Sequence, residues 1–110
     1  MATNYLVLGQ VAPSATTATT LYTVPSSTQA VISTITICNR GTSSQTYRIS
    51  VRPDGAAQDD QHYLVYDAPI AAKQTVALTL GVTLGDTDVV TVYNSSGDLS
   101  YAAFGSEITA

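Results

Sequence analysis

The sequence predicts an all-β fold, a single β-sandwich of about eight strands with immunoglobulin-like or jelly-roll topology. Short β-type stretches with apolar residues at a period of two recur along the chain, and turn residues separate them at intervals of about 8–12 residues. No helical period lasts for two turns. The 110 residues suit one domain, assigned to 1–110, in which 1–20 is a candidate extended N-terminal edge segment.

The longest β-type stretch, Gln29–Asn39, predicts a central strand. Its residues alternate between two faces, with Val31, Ile35 and Ile37 assigned to the core and Thr34 and Thr36 to the other side. Ile32 and Cys38 are apolar on the threonine side. The strand therefore either has that side covered by a loop or partner, or carries a bulge near its end.

Seven further strands are predicted, in chain order Tyr5–Leu8, Leu21–Val24, Gln45–Arg52, His62–Asp67, Thr75–Leu80, Asp88–Tyr93 and Leu99–Ile108. Within the last of these, Gly105 marks a candidate bulge. Leu80 is assigned to the core.

Polar connections separate these strands. The loop Asn39–Ser44 has the length of a hairpin, and Gly81–Asp86 is assigned as a loop. Pro53–Gln61 begins with a Pro-Asp-Gly turn and is expected to be a mobile excursion. Ala12–Thr20 reads as a flexible linker or an extended edge, and the strand that follows it directly favours an ordered edge.

Charge excludes two classes of partner. The four basic residues, Arg40, Arg48, Arg52 and Lys73, form no cluster, and the net charge is -4. Binding to nucleic acid or to an anionic membrane needs several neighbouring cations, so neither partner is expected. Charged residues make up only 11% of the chain, which predicts a surface of neutral hydroxyl and amide groups.

Nothing marks Cys38 and His62 as partners in nucleophilic catalysis; the many serines leave a Ser-His-Asp arrangement open, but the chain has no G-x-S-x-G nucleophile elbow. Cys38 is the only cysteine, so no intrachain disulfide forms, and it is assigned as a small apolar filler in or beside the core. His62 is the only histidine, whereas zinc needs three or four ligands. His62 is therefore interpreted as a strand-edge residue hydrogen-bonded to a neighbour or solvent.

Aspartates occur in two loops, Asp54, Asp59 and Asp60 in one and Asp86 and Asp88 in the other. Neither loop has the acidic positions and glycine of an EF-hand, so solvated turn residues are the better interpretation. Short loops also leave little room for the sugar cleft of a glycoside hydrolase. No catalytic, cofactor-binding or metal-binding residues are assigned, no cofactor is expected, and the chain is predicted not to be an enzyme.

Tyrosine is the most informative residue type, with seven copies against one Phe and no Trp. Tyr63, Tyr66, Tyr93 and Tyr101 are expected to line up across three strands. Half-buried strand tyrosines, an assembly interface and a glycan-stacking platform all remain open. Asn94-Ser95-Ser96 matches a glycosylation sequon. Without a secretory signal in the sequence, the match does not indicate glycosylation.

The N-terminal sequence MATNYLVLGQ lacks the basic and apolar regions of a signal peptide. No apolar run approaches the roughly 20 residues of a membrane span. The chain is therefore expected to be made in the cytoplasm without a cleavable signal.

Much of the chain resembles small immunoglobulin-like structural proteins of tailed bacteriophages, especially phages of marine and freshwater bacteria. The resemblance lies in the segments APSATTATTLYTVPSSTQAVISTITICN, YRISVRPDGA, HYLVYDAPIAAKQTVALTLGVTLGDTDVVTVY and AFGSEI. It implies a virion component without enzymatic activity, present in many copies or as a homo-oligomer and bound to the major capsid protein or to neck or tail proteins. Capsid decoration (cement) is the expected role, with a neck, tail or fibre component or a host-surface glycan-binding module as the alternative.

Overall fold

The structure, a computed structural model, describes residues 2–109, which form an all-β sandwich of two antiparallel sheets. Nine strands are formed within these residues: β1 (Ala2–Val11), β2 (Thr19–Thr23), β3 (Thr28–Asn39), β4 (Gln45–Arg52), β5 (Tyr63–Ile70), β6 (Thr75–Leu78), β7 (Val82–Leu84), β8 (Val89–Asn94) and β9 (Leu99–Thr109). The predicted fold class is confirmed, with one strand more than expected.

The first sheet has the order β1-β9-β3-β6, and β7 also pairs with β3. The second sheet has the order β2-β8-β4-β5. β3 pairs with β9 along its whole length, from Thr28 opposite Thr109 to Asn39 opposite Leu99, so the predicted central strand is confirmed. The predicted hairpin at Asn39–Ser44 is wrong, because β3 and β4 lie in different sheets and their connection crosses between them.

The core lies between the two sheets, where each strand places alternate side chains. The buried apolar residues that form this core cluster are Leu21, Tyr22, Val24, Ala30, Ile32, Ile35, Ile37, Tyr47, Ile49, Ile70, Leu84, Val90, Val92, Leu99, Tyr101 and Ala103. Branched residues dominate this set because they suit both the pleated backbone and a dry interior.

A bulge in the middle of β3 changes which residues face the core. The register against β9 shifts between Ile32 and Thr34, so Ile32 is buried with Ile35 and Ile37. The assignment of Val31 to the core is therefore wrong, since Val31 turns outward and is only half-buried. A bulge was one of the two predicted explanations, but it lies in mid-strand and not near the end.

The bulge predicted at Gly105 is not in β9 itself. The register shifts lie instead on the two strands that flank β9, between Ile32 and Thr34 of β3 and between Val7 and Gly9 of β1. Gly105 itself permits close approach of these backbones. A Cβ atom at this position would lie 1.9 Å from the carbonyl oxygen of Val31, so only glycine fits.

The N-terminal region differs from the predicted linker or edge. β1 runs on past Gly9 to Val11, and residues 12–18 form a loop that carries the chain from the first sheet to the second. The amide of Thr16 donates to the carbonyl of Asn94 at 2.9 Å, which ties this loop to β8. The edge strand of this region is thus β1, and only Thr19 and Thr20 of the predicted Ala12–Thr20 segment are in a strand.

Two other connections carry more structure than expected. The segment assigned as the loop Gly81–Asp86 contains β7, and the preceding Leu80 is 46% exposed, so its assignment to the core is wrong. Pro53–Gln61 contains a single 3-10 turn at Pro53–Gly55 and the start of a second, Asp60–His62. Hydrogen bonds tie this excursion to β4: Ser50 donates to Gln58 (2.7 Å) and Arg52 to the Ala56 carbonyl (2.9 Å).

Candidate functional site

Charge is distributed unequally between the two sheets. Of the four basic and eight acidic residues, only Glu107 lies on a strand of the first sheet, and the others lie on the second sheet or in connections. Glu107 is directed to the core side, where its carboxylate accepts a hydrogen bond from the Tyr22 hydroxyl. The outward side of the first sheet therefore carries no charged side chain within residues 2–109; we call it the uncharged face.

Apolar side chains cluster on one half of the uncharged face. Pairing and alternation place Tyr5 and Val7 of β1 beside Phe104 of β9 and Val31 of β3 on the outward side. Tyr5 is 86% exposed and Val7 is 47% exposed. An open groove of about 370 Å³ lies between Tyr5, Val31 and Phe104. A cluster of this kind is typical of a surface that contacts another macromolecule.

A second surface, the tyrosine group, lies on the outward side of the second sheet and consists of Arg48, Tyr63, Tyr66 and Tyr93. The Arg48 guanidinium carbon is 4.3 Å from the ring centroid of Tyr66 and 4.3 Å from that of Tyr93. Tyr63 meets Tyr66 edge to face, with centroids 4.8 Å apart. Cation–π attraction thus holds the aromatic rings around a fixed positive charge.

Asp67 completes the tyrosine group. Its Oδ1 accepts from Arg48 Nε at 2.6 Å and its Oδ2 accepts from Arg48 Nη2 at 3.3 Å. This hydrogen bonding is the main reason that the pKa of Arg48 is raised, and the guanidinium stays charged. Tyr66 remains 58% exposed beside this ion pair and presents its ring to solvent.

Three of the four tyrosines expected to align are brought together, and the fourth is not. Tyr101 lies in the core, where its hydroxyl donates to the carbonyl of Tyr93 at 3.1 Å. β9 belongs to the first sheet, so its inward residues face the interior and not the tyrosine group. A hollow of about 40 Å³ beside Tyr63 and Tyr93 is much smaller than a typical ligand pocket, so this surface offers a platform and not a cleft.

The aspartates of the two loops stabilise turns. Asp88 accepts from the amides of Asp54 (2.9 Å) and Gly85 (2.8 Å), and Thr87 donates to the Asp54 carboxylate. Asp59 caps the turn at Asp60–His62. Within residues 2–109, no group of three or more His, Cys, Asp or Glu side chains is placed to hold a metal ion.

The lone histidine and cysteine lie in different parts of the fold. His62 is in the second 3-10 turn and not in a strand, and its Nδ1 accepts from the Asp59 amide at 3.1 Å. Cys38 is half-buried on the outward side of β3, in a groove lined by Thr36 and Ala102. It therefore lies on the uncharged face and not between the sheets.

The sequon residue Asn94 has a fully buried side chain at the end of β8, which leaves it inaccessible to a glycosylating enzyme. No helix among the described residues is long and apolar enough to cross a membrane. No protein-family model matches this chain, and no curated protein matches it either.

Sequence reasoning missed the uncharged face. β1, β3, β6 and β7 contain no Asp, Glu, Lys or Arg, and that signal is present in the sequence. It becomes informative only once these strands are known to share one sheet.

Proposed function

We propose that this chain is a non-enzymatic structural protein of a tailed-phage virion, a capsid decoration protein that binds the outside of the shell. The observation that carries the proposal is the uncharged face with its exposed Tyr5 and Val7. Docking through this face buries apolar area without stripping water from any charged group, and removing water from an unpaired charge is expensive. The resemblance to phage structural proteins supplies the partner.

The shape of the surface supports a broad protein partner over a small ligand. The face is a sheet surface with open grooves, and small-molecule sites are concave and bury most of their ligand. A decoration protein acts by contact area, with many copies that each contribute about 800 Å² per partner. A neck, tail or fibre role would use the same surface in far fewer copies.

Quantitative mass spectrometry of purified virions tests the role directly. Hundreds of copies per particle are expected for capsid decoration, whereas a dozen or fewer would assign the chain to the neck, tail or fibre. Absence from virions, together with failure to rebind particles stripped of it, would contradict the virion proposal.

Paired lysine substitutions test the surface. The double variant Gln29→Lys with Thr83→Lys adds two charges to the uncharged face at exposed positions and is expected to abolish rebinding. The matched control, Thr20→Lys with Leu64→Lys, adds the same charge to the second sheet and is expected to rebind normally. Normal rebinding by the first double variant, with loss of rebinding by the control, would place the contact on the second sheet.

The tyrosine group supports a second candidate function, binding of host-surface glycans. Tyr66 offers an exposed ring held by Arg48, and sugar rings stack on such surfaces. A glycan array probed with the wild type and with Tyr66→Ala, each with and without calcium, tests this function. Signals lost in Tyr66→Ala would support it, and a silent array would contradict it.

A further inference from the structure

The outer edge of β1 is a free strand edge. β1 is the terminal strand of the first sheet, and no strand within residues 2–109 pairs with its outer side. Near Gly9 the backbone of β2 approaches closely, since a Cβ at Gly9 would lie 2.1 Å from the Leu21 carbonyl oxygen. The free part is therefore Ala2–Val7, about 20 Å of backbone with alternate N–H and C=O groups directed outward.

The other sheet edges are protected in ways that the Ala2–Val7 part of β1 is not. β6 has only four residues and β7 only three. β2 has five residues, and its pairing with β8 contains a register shift. β5 has two register shifts against β4 and contains Asp67 and Pro69. Short strands, bulges, charges and proline all block edge pairing, whereas Ala2–Val7 contains no charge and no proline.

We propose that the β1 strands of two copies of this chain pair antiparallel across a two-fold axis. An uncharged extended strand pairs with this edge without bringing a charge to the joint, and Ala2–Val7 of a second copy is such a strand. The single charge of the sheet, Glu107, is turned toward Tyr22, so no like charges meet at the joint. The first sheets of both copies then form one continuous sheet, and the uncharged faces become one surface of twice the size.

Hydrogen-bond geometry restricts where the axis passes. Residues with outward-directed N–H and C=O groups alternate along β1, and two such residues must face each other in the dimer. Such residues are an even number of positions apart, so the numbers of any two facing residues add up to an even value. The two-fold axis therefore passes between the two copies of a single residue. Tyr5 is the residue of choice, because its exposed ring then meets its counterpart as a cross-strand aromatic pair. Thr3 of each copy faces Val7 of the other.

The contact is small, so the dimer is expected to be weak in isolation. Six residues per strand bury on the order of 300 Å² per copy, below the ~800 Å² per partner of stable complexes. Dissociation is expected at micromolar concentration. Copies held close together on a larger particle would pair far more completely, because their effective concentration is higher. Pairing uses the one unprotected edge of each copy, so association stops at two.

Sedimentation velocity across micromolar to millimolar concentration tests the pairing. The wild type is expected to shift from monomer to dimer as its concentration rises. Tyr5→Lys is expected to raise the dissociation constant of the dimer at least tenfold, because like charges then face each other at the axis. Thr75→Lys, at an exposed position on the opposite edge strand β6, is the matched control and is expected to dimerise normally. A wild type that stays monomeric at millimolar concentration would overturn the proposal. So would a dimer that Thr75→Lys disrupts and Tyr5→Lys does not.

Cysteine crosslinking tests the register, in a Cys38→Ser background. Tyr5→Cys is expected to form a disulfide between copies, because facing Cα atoms about 4.5–5.5 Å apart lie within disulfide range. Thr3→Cys and Val7→Cys are each expected to remain uncrosslinked alone and to crosslink when mixed. Ready crosslinking of Thr3→Cys alone, or of Thr3→Cys with Tyr5→Cys, would overturn the Tyr5 axis.

The dimer does not depend on the proposed function. Self-association is measured on the purified chain without any virion component, and rebinding to stripped particles is measured with variants of Gln29 and Thr83, away from Tyr5. Each result can therefore fail without the other.

Discussion

The hydroxyl of Tyr22 on β2 donates a hydrogen bond to the carboxylate of Glu107 on β9, and this bond links the two sheets. The two residues are 85 positions apart in the sequence. Among residues 2–109, Glu107 is the only charged residue on a strand of its sheet, and its partner Tyr22 lies on the other sheet. The bond stabilises the sandwich at the edge where the chain passes from β1 to β2.

A double-mutant cycle is expected to detect this link. Tyr22→Phe and Glu107→Gln should each reduce the free energy of unfolding by about 1–3 kcal/mol, because each weakens a partly buried hydrogen bond to a charged group. The double variant should lose clearly less than the sum of the two. Urea denaturation measures all four proteins, and strictly additive losses would contradict the link.

Stability is expected to fall at alkaline pH. Burial raises the pKa of Tyr22 and Tyr101 well above the ordinary 10.0, and the Glu107 carboxylate adds to the shift at Tyr22. The unfolded chain then loses tyrosine protons that the folded chain retains. The free energy of unfolding should stay level below pH 10 and decrease above it, by about 1.4 kcal/mol per pH unit for each such tyrosine.

Urea denaturation between pH 8 and pH 11, in steps of about half a unit, measures this slope. Below pH 10, Tyr101→Phe is expected to be less stable than the wild type, because it loses the hydrogen bond to the Tyr93 carbonyl. Above pH 10, however, its free energy of unfolding should fall less steeply with pH than that of the wild type, by the contribution of one tyrosine, about 1.4 kcal/mol per pH unit. Equal slopes would show that Tyr101 does not contribute.

Gly105→Ala is expected to be severely destabilising. The added methyl group would lie 1.9 Å from the Val31 carbonyl oxygen and 3.0 Å from the Ile32 Cα, so the β3–β9 pairing must separate. A loss of at least about 3 kcal/mol, or failure to fold, is expected. Gly97→Ala is the control, since its nearest neighbour is 4.0 Å away, and it should be close to neutral. Thermal denaturation distinguishes the two variants.

Asn39→Ala is expected to destabilise the crossing from β3 to β4. The buried amide Nδ2 of Asn39 donates to the carbonyls of Ser43 (2.9 Å), Ile70 (3.2 Å) and Ala71 (3.2 Å), and Oδ1 accepts from the Gly41 amide at 2.9 Å. Its removal leaves buried backbone groups unpaired, at a cost of about 2–4 kcal/mol. Asn4→Ala, at an exposed position on β1, should be close to neutral in the same chemical denaturation experiment. Similar losses for both would contradict the structural role of Asn39.

Strand positions were predictable where one face is buried along the whole strand. β4 matches the predicted Gln45–Arg52 at both ends, because Tyr47 and Ile49 alternate with polar residues and turn residues flank the strand. β7 was not predictable, because three residues give no period and its strand character comes from pairing with β3. The mid-strand bulge at Ile32–Thr34 likewise depends on the close approach of Gly105, which is a tertiary contact.

The candidate surfaces were predictable only in part. The number of tyrosines drew attention to Tyr63, Tyr66 and Tyr93, but the sequence does not state which strands share a sheet, so Tyr101 was grouped with them. The sequence shows Arg48 only as an isolated cation, whereas in the structure it contacts two aromatic rings and a carboxylate. The length of the Asn39–Ser44 connection suits a turn within one sheet as well as a crossing between two, so length alone does not distinguish a hairpin from a crossing.

The separation of charge from the uncharged face has a kinetic consequence. A chain of net charge -4 that carries its acidic groups away from one face experiences a torque in the field of a negatively charged particle. That torque turns the uncharged face toward the particle before contact. If the chain binds such a particle through this face, as proposed, salt changes the rate of binding through screening over about 8–10 Å, while the rate of release from an interface without ion pairs stays nearly constant.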